Sequence, residues 1–148
     1  IVGPFRLELS ANLVRSMPEF FQYPLPHTSR AQRKDEVNGV KYHFDTKDRI
    51  LENQRDFVEI GEHKSNYYGV SLASVKKIID ENKHAMLDCS SQAVRRITKY
   101  FHVAPLCILV RPESLQACSK ITNGDRLDEM RGEMQRAEQA ENFMYRKV

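Results

Sequence analysis

The sequence predicts an α/β domain: a mainly parallel sheet flanked by helices, with an antiparallel lobe inserted into it. Three observations carry this. Short apolar runs such as Phe57-Val58-Glu59-Ile60 and Leu106-Cys107-Ile108-Leu109-Val110 alternate with helical patterns, the signature of strand–helix–strand crossovers. Leu72, Val75, Ile78 and Ile79 recur at helical spacing behind Ser71, a good N-cap. The segment from His27 to Tyr68 breaks the alternation, being richer in strand and turn residues.

In chain order, Ile1-Val2 reads as the end of a buried strand feeding Gly3-Pro4. Ser10 to Met17 predicts a short helix, N-capped by Ser10 and stopped by Pro18. The prolines of Phe20 to Pro26 demand extended backbone. Gly39 closes a turn before the strand Lys41-Tyr42-His43-Phe44. Thr46 to Asn53 predicts a short helix with Ile50 and Leu51 inward. Phe57 to Ile60 is a strand, Lys64-Ser65-Asn66 a polar turn, and Tyr67 to Val70 its continuation.

The helix capped by Ser71 comes next, then a buried strand at His84 to Asp88. Ser90 or Ser91 caps a helix with Ala93, Val94 and Ile97 inward. Leu106 to Val110 is expected as a buried strand, with Cys107 a small core residue, and Ser119 to Gly124 as a polar, mobile stretch. A long helix from about Asp125 to Asn142 sets Leu127, Met130, Met134 and Ala137 on one face, and Phe143 to Val148 begins a further strand.

The 148 residues suit one domain with a single core. A net charge of +3, from 23 basic and 20 acidic residues, argues against nucleic acid as the partner. No run approaches a membrane span, so direct membrane insertion is not expected, and no secretory signal is visible. Cys89, Cys107 and Cys118 are odd in number and lack metal-ligand spacing, which fits a reducing, intracellular setting. The histidines form no paired-ligand pattern, so neither a metal site nor a cofactor is expected. The chain opens on Ile1 and reads as an excised domain.

Two motifs carry chemistry. Arg30, Arg33 and Tyr42 lie close together in a turn-and-strand segment, and two guanidinium forks with a phenol hydroxyl can grip a phosphate bidentately. Upstream, Gly3 to Ser10 has the outline of a phosphate loop, GxxxxGK[ST], without its chemistry. Glu8 stands at the second glycine, Leu9 at the lysine, and Ser10 alone matches, at the hydroxyl. A carboxylate there repels a triphosphate, and no cation at position 9 replaces the lysine.

These segments together resemble a guanylate kinase-like domain of the MAGUK scaffold type, in particular its discs-large-like branch. The resemblance covers nearly the whole chain. It is anchored by Gly3-Pro4, Pro26-His27-Thr28-Ser29-Arg30, Arg33, Glu36-Val37-Asn38-Gly39, Tyr42-His43-Phe44, Phe57-Val58-Glu59, Asn66-Tyr67-Tyr68-Gly69 and Met86-Leu87-Asp88. It implies a P-loop kinase-like fold, with core 1–26 and 72–148, an inserted nucleotide- or peptide-binding lobe 27–71, and a degenerate lid region at about 113–126. The family's final helix is not represented.

In guanylate kinases, the arginines matching Arg30 and Arg33 hold the GMP phosphate with tyrosines matching Tyr42 and Tyr68. The glutamate matching Glu59 and a strand-end aspartate read the guanine edge. All five of those named positions are retained here, and Asp88 with them. Pro26 stands where the enzymes have a serine, Val70 replaces a hydroxyl residue, and Ser90 replaces a second acid. Lys120 and Arg126 fall in the lid region without the enzymes' spacing.

The resemblance therefore implies a catalytically inactive module that binds a phosphorylated Ser/Thr peptide in the former GMP site. Arg30, Arg33, Tyr42, Glu59 and Tyr68 would be its contacts, with Pro26, Gly39, Asp88 and Ser90 as additional ones. The alternative is GMP binding with weak or residual kinase activity. The family context implies an SH3 domain and PDZ domains in the same protein, at the cytoplasmic face of cell junctions or synapses.

Overall fold

A computed structural model of the chain describes residues 1–102, 105–122 and 126–145. Its elements run α1 (Arg6–Ser16), β1 (Phe21–Gln22), β2 (His27–Thr28), β3 (His43–Phe44), α2 (Lys47–Glu52), β4 (Phe57–His63), β5 (Asn66–Ser71), α3 (Leu72–Asp80), β6 (His84–Ala85), α4 (Ser91–Phe101), α5 (Leu115–Thr122) and α6 (Leu127–Tyr145). They fall into two compact units, Met17–Ala104 and Ile1–Ser16 with Pro105–Val148.

The unit Met17–Ala104 is built on a four-stranded sheet in the order β3-β2-β5-β4. The β4–β5 hairpin turns through Lys64 and Ser65, both at positive φ (49° and 60°), the paired left-handed conformation that matches strand twist in a two-residue turn. β5 pairs antiparallel with β2 as well, but β2 and β3 run parallel, with His27 opposite His43. The inserted lobe is thus antiparallel at two of its three strand junctions. The third is parallel because the chain between β2 and β3 makes a full return through the turn at Gly39, whose φ is +84°.

Ser71 caps α3 as expected, its Oγ accepting from the Ser74 amide at 3.1 Å. The apolar stripe buries Leu72, Val75 and Ile78, the first two in one cluster with Val58, Ala93 and Ile97. Ile79, expected on that stripe, is 45% exposed; it lies at the stripe's edge in the last turn of α3. Ser90 caps α4 by accepting from the Ala93 amide, and Val94 is half-buried rather than core. The expected strand His84 to Asp88 shrinks to β6, which pairs in parallel with β1. His84 and Asp88 are exposed and the residues between are half-buried.

In the other unit, Val2 bridges Leu109 in parallel: its amide donates to the Ile108 carbonyl and its carbonyl accepts from Val110, both at 2.8 Å. Gly3 follows at φ +111°, where an added Cβ would sit 2.3 Å from the Val110 oxygen. Only glycine satisfies both the angle and the approach.

Several expectations are corrected here. Ser10 is not an N-cap. The helix begins four residues earlier, at Arg6, and Ser10 is buried within it, its hydroxyl donating to the Arg6 carbonyl. Leu106 to Val110 is not a buried strand, since Leu106 is 87% and Ile108 43% exposed and only Leu109 bridges. Cys107 is half-buried, and the fully buried thiol is Cys118 on α5. Along the run Leu106 and Ile108 face solvent, while Cys107, Leu109 and Val110 are half-buried.

Ser119 to Thr122 belongs to α5 rather than a mobile stretch, and Asn123-Gly124 lies outside the described residues. The last helix buries Met130 and Ala137 with Leu127 and Met134 partly covered, but it continues through Phe143 to Tyr145, where a strand was expected. Periodicity without a Gly or Pro stop lets the helix run on. The rest of that expected strand, residues 146–148, lies outside the described residues.

Candidate functional site

The segment expected to grip a phosphate is organised from β2 outward. Thr28 is fully buried, and its Oγ1 accepts from the Arg30 amide at 3.1 Å, fixing the backbone where the chain leaves the sheet. The Arg30 guanidinium lies 5.5 Å from the Tyr42 ring centroid and 5.4 Å from that of Phe44, within reach of cation–π attraction. Tyr42 in turn meets Tyr68 edge-on, with centroids 6.1 Å apart. Arg30, Tyr42 and Tyr68 are therefore brought together in one cluster.

Arg30 is already engaged. Nη2 donates to Glu36 Oε1 at 2.7 Å and Nη1 to Glu36 Oε2 at 3.0 Å, a bidentate fork. The Arg33 amide donates to the same Oε2 at 2.9 Å. Hydrogen bonding from Arg30, then from the Arg33 backbone, holds the Glu36 carboxyl down to about 2. Glu36 pushes Arg30 upward in turn, and Tyr68 adds to that. Arg33 is exposed, and its guanidinium makes no ion pair among the described residues. One arginine of the pair is forked on Glu36, and the other meets that carboxylate only through its amide and its charge.

Gly39 shapes the rim. Its amide donates to the Tyr42 carbonyl at 2.8 Å, and the Asn38 Oδ1 accepts from the Phe44 amide at 2.9 Å. Pro26 contributes through its backbone, its carbonyl accepting from the His43 amide and so aligning β3 on β2. Glu59 is opposite Val70 and Gly61 opposite Tyr68. Opposed residues, and residues two apart, share a face, so Glu59, Val70 and Tyr68 line one side of the sheet. The Glu59 Oε2 accepts from the Ser90 amide at 3.1 Å, at the start of α4. Glu59 and Ser90 are thus brought to each other. Asp88, two residues before Ser90, is exposed.

The segment Gly3 to Ser10, expected as a degenerate phosphate loop, holds a different arrangement. Leu9 is 40% exposed on α1. Glu8 accepts from Arg126 Nη1, and Arg126 also donates to Glu129 at 2.8 and 3.0 Å. The hydrogen bond from Arg126 lowers the Glu8 carboxyl, while Glu129 and Glu8 push Arg126 upward. Arg6 pairs with Glu133, which is 4% exposed. The start of α1 is therefore tied to α6 by carboxylates and guanidiniums.

Glu36 and Phe44 stand in the sequence as anchors of the resemblance, with no site role expected for either. Spacing held the signal: a carboxylate six residues after one arginine and three after another, in a turn, can reach both. Among the described residues no cluster of three or more His, Cys, Asp or Glu could hold a metal ion. Nor is any described helix long and apolar enough to cross a membrane.

Residues 1–147 match the guanylate kinase family. The chain belongs to that family. It is similar to the Disks large 1 tumor suppressor protein of Drosophila melanogaster, 32% identical over 121 residues covering 79% of this chain and 12% of that protein. It is likewise 32% identical over 120 residues to human Disks large homolog 3, covering 79% of this chain and 15% of that protein. The chain is a guanylate kinase-like domain of the discs-large type with a P-loop kinase fold, and it spans under a sixth of those two relatives' length. A guanylate kinase from Anaplasma phagocytophilum is similar over 92% of this chain and 79% of its own, at 17% identity and a TM-score of 0.49.

Proposed function

We propose that this guanylate kinase-like domain is a catalytically inactive interaction module that binds phosphorylated Ser/Thr peptides of partner proteins in the former GMP site. One observation carries the reading. The phosphate-gripping cluster of Arg30, Tyr42 and Tyr68 is assembled beside an exposed Arg33, whereas the phosphate loop has lost its lysine and its carboxylate is paired with Arg126. The Arg33 guanidinium takes the phosphate first, Arg30 shares its fork between the phosphate and Glu36, and the two tyrosine hydroxyls donate. Glu59, with Ser90, Pro26, Gly39 and Asp88, borders the site on the peptide side.

The lobe 27–71 is the binding element, and core 1–26 with 72–148 its support, including the degenerate lid at about 113–126. The discs-large relatives support a place in a scaffold protein beside SH3 and PDZ domains, peripheral to the membrane at junctions or synapses. Calorimetry with matched phosphorylated and unphosphorylated peptides tests the reading. The phosphorylated form should bind at least about tenfold tighter, the effect of one or two charge-assisted hydrogen bonds. Arg33→Ala should abolish that difference, and equal wild-type affinities would refute it.

The same cluster fits the phosphate of GMP, which keeps nucleotide binding as a second reading. Titration of GMP alone, with ADP formation assayed from ATP and GMP, separates the two. GMP binding without turnover is compatible with the peptide site, and turnover is not.

A further inference from the structure

Beside the charged cluster the chain presents an apolar pair. Val37 follows Glu36 directly, and Val37 to Val40 form a turn closed by the Val40 amide donating to the Val37 carbonyl at 3.2 Å, with Gly39 at φ +84° in its third position. That is the conformation of a type II turn, which brings its first and fourth residues within about 7 Å. Val37 is 64% and Val40 66% exposed. The turn is also held from outside, by Gly39 to the Tyr42 carbonyl and by Phe44 to the Asn38 side chain. Two branched apolar side chains are therefore shown to solvent on a fixed scaffold, next to the carboxylate that Arg30 and the Arg33 amide hold. Apolar contacts on a pre-formed turn bind without the ordering penalty of a loose loop.

Resting on the phosphopeptide reading of the neighbouring cluster, we infer that the Val37–Val40 pair is a specificity surface. Its occupant is a large apolar side chain of the ligand, within two residues of the phosphorylated Ser or Thr. An extended peptide advances about 3.3 Å per residue, and Val37 follows directly on Glu36, to which the Arg33 amide donates, so the occupant is placed on a near neighbour of the phosphorylated residue. Neither valine offers a hydrogen bond, so polar or charged residues at that position gain nothing there.

The test is calorimetry with phosphoserine peptides carrying leucine at one of the two positions on either side, against glycine at all four, each with its unphosphorylated counterpart. The best leucine peptide should bind the wild-type domain about fivefold tighter than the glycine peptide, the gain from covering part of one side chain. Val37→Ser with Val40→Ser should erase that preference and keep the discrimination for phosphate. Val37→Leu with Val40→Leu should retain both. No leucine preference at any position, or one that survives the serine substitutions, overturns the inference while leaving the phosphopeptide site standing. Loss of phosphate discrimination in the wild type removes the site itself, and the inference with it.

Discussion

Arg30 and Glu36 form a two-point fork six residues apart, with donor–acceptor distances of 2.7 and 3.0 Å, between β2 and β3. Both side chains are largely covered, 18% and 11% exposed. The carboxylate has two roles at once. It holds Arg30 beside Tyr42 and Phe44, and it occupies both terminal nitrogens of the guanidinium.

The acid behaviour of this fork follows from its sign. The Glu36 carboxyl is depressed to about 2 from an ordinary 4.5. A depressed carboxylate favours the folded arrangement above the ordinary value, and that contribution is lost as pH falls through the depressed one. The fork should stay intact at pH 5 and open progressively between about 4.5 and 2. Carbon-13 NMR of the glutamate carboxyls checks this; a Glu36 midpoint near 4.5 would contradict it.

His27 sets a second pH dependence. Burial, then His43 with its ring 4.9 Å away, pushes the His27 imidazole below the ordinary 6.5. Its Nδ1 is buried without a hydrogen-bond partner, and Asp45 opposes the shift. The unfolded chain then binds the proton first, so stability is complete above about 6.5 and declines as pH falls below it. Urea denaturation at pH 7.5 and 5.5 should show that decline in the wild type and a smaller one in His27→Gln.

Gly3→Ala should be severely destabilising, by about 2–4 kcal/mol. The new Cβ would meet the Val110 oxygen at 2.3 Å in a backbone conformation that side chains avoid. Denaturant midpoints measure the loss, and a change under about 0.5 kcal/mol, the range of ordinary surface substitutions, would show that the Val2–Leu109 bridge gives way at little cost.

At the phosphate-loop remnant, ATP with Mg²⁺ should give no saturable heat of binding, and ATP with GMP no ADP. Glu8→Gly with Leu9→Lys should restore measurable ATP binding, because it removes the carboxylate paired with Arg126 and returns the missing cation. Binding in the wild type at equal strength would mean that Glu8 and Leu9 do not block the loop.

Much of this was legible in the chain itself. Ser71 and Ser90 cap their helices where the sequence puts them, since a cap depends on a hydroxyl and the amide three residues on. Leu72, Val75 and Ile78 are buried because helical periodicity is local. Arg30, Tyr42 and Tyr68 were nameable as a cluster through the resemblance alone. Helix lengths were less legible: α1 starts before Ser10 and α6 passes Asn142, because propensity falls off gradually where no proline or glycine intervenes.

The sequence by itself thus determined the family, the helix caps and the buried stripes, all of which rest on residue type and near-neighbour spacing. Tertiary structure alone decided which charges are free. It put Arg126 on Glu8 across 118 positions of sequence, Glu36 on Arg30 in place of an outside anion, and Glu59 on the Ser90 amide. It also left half of the Leu106 to Val110 run in solvent. Ion pairing and burial depend on which surfaces packing brings within a few ångströms, and spacing along the chain does not specify that distance.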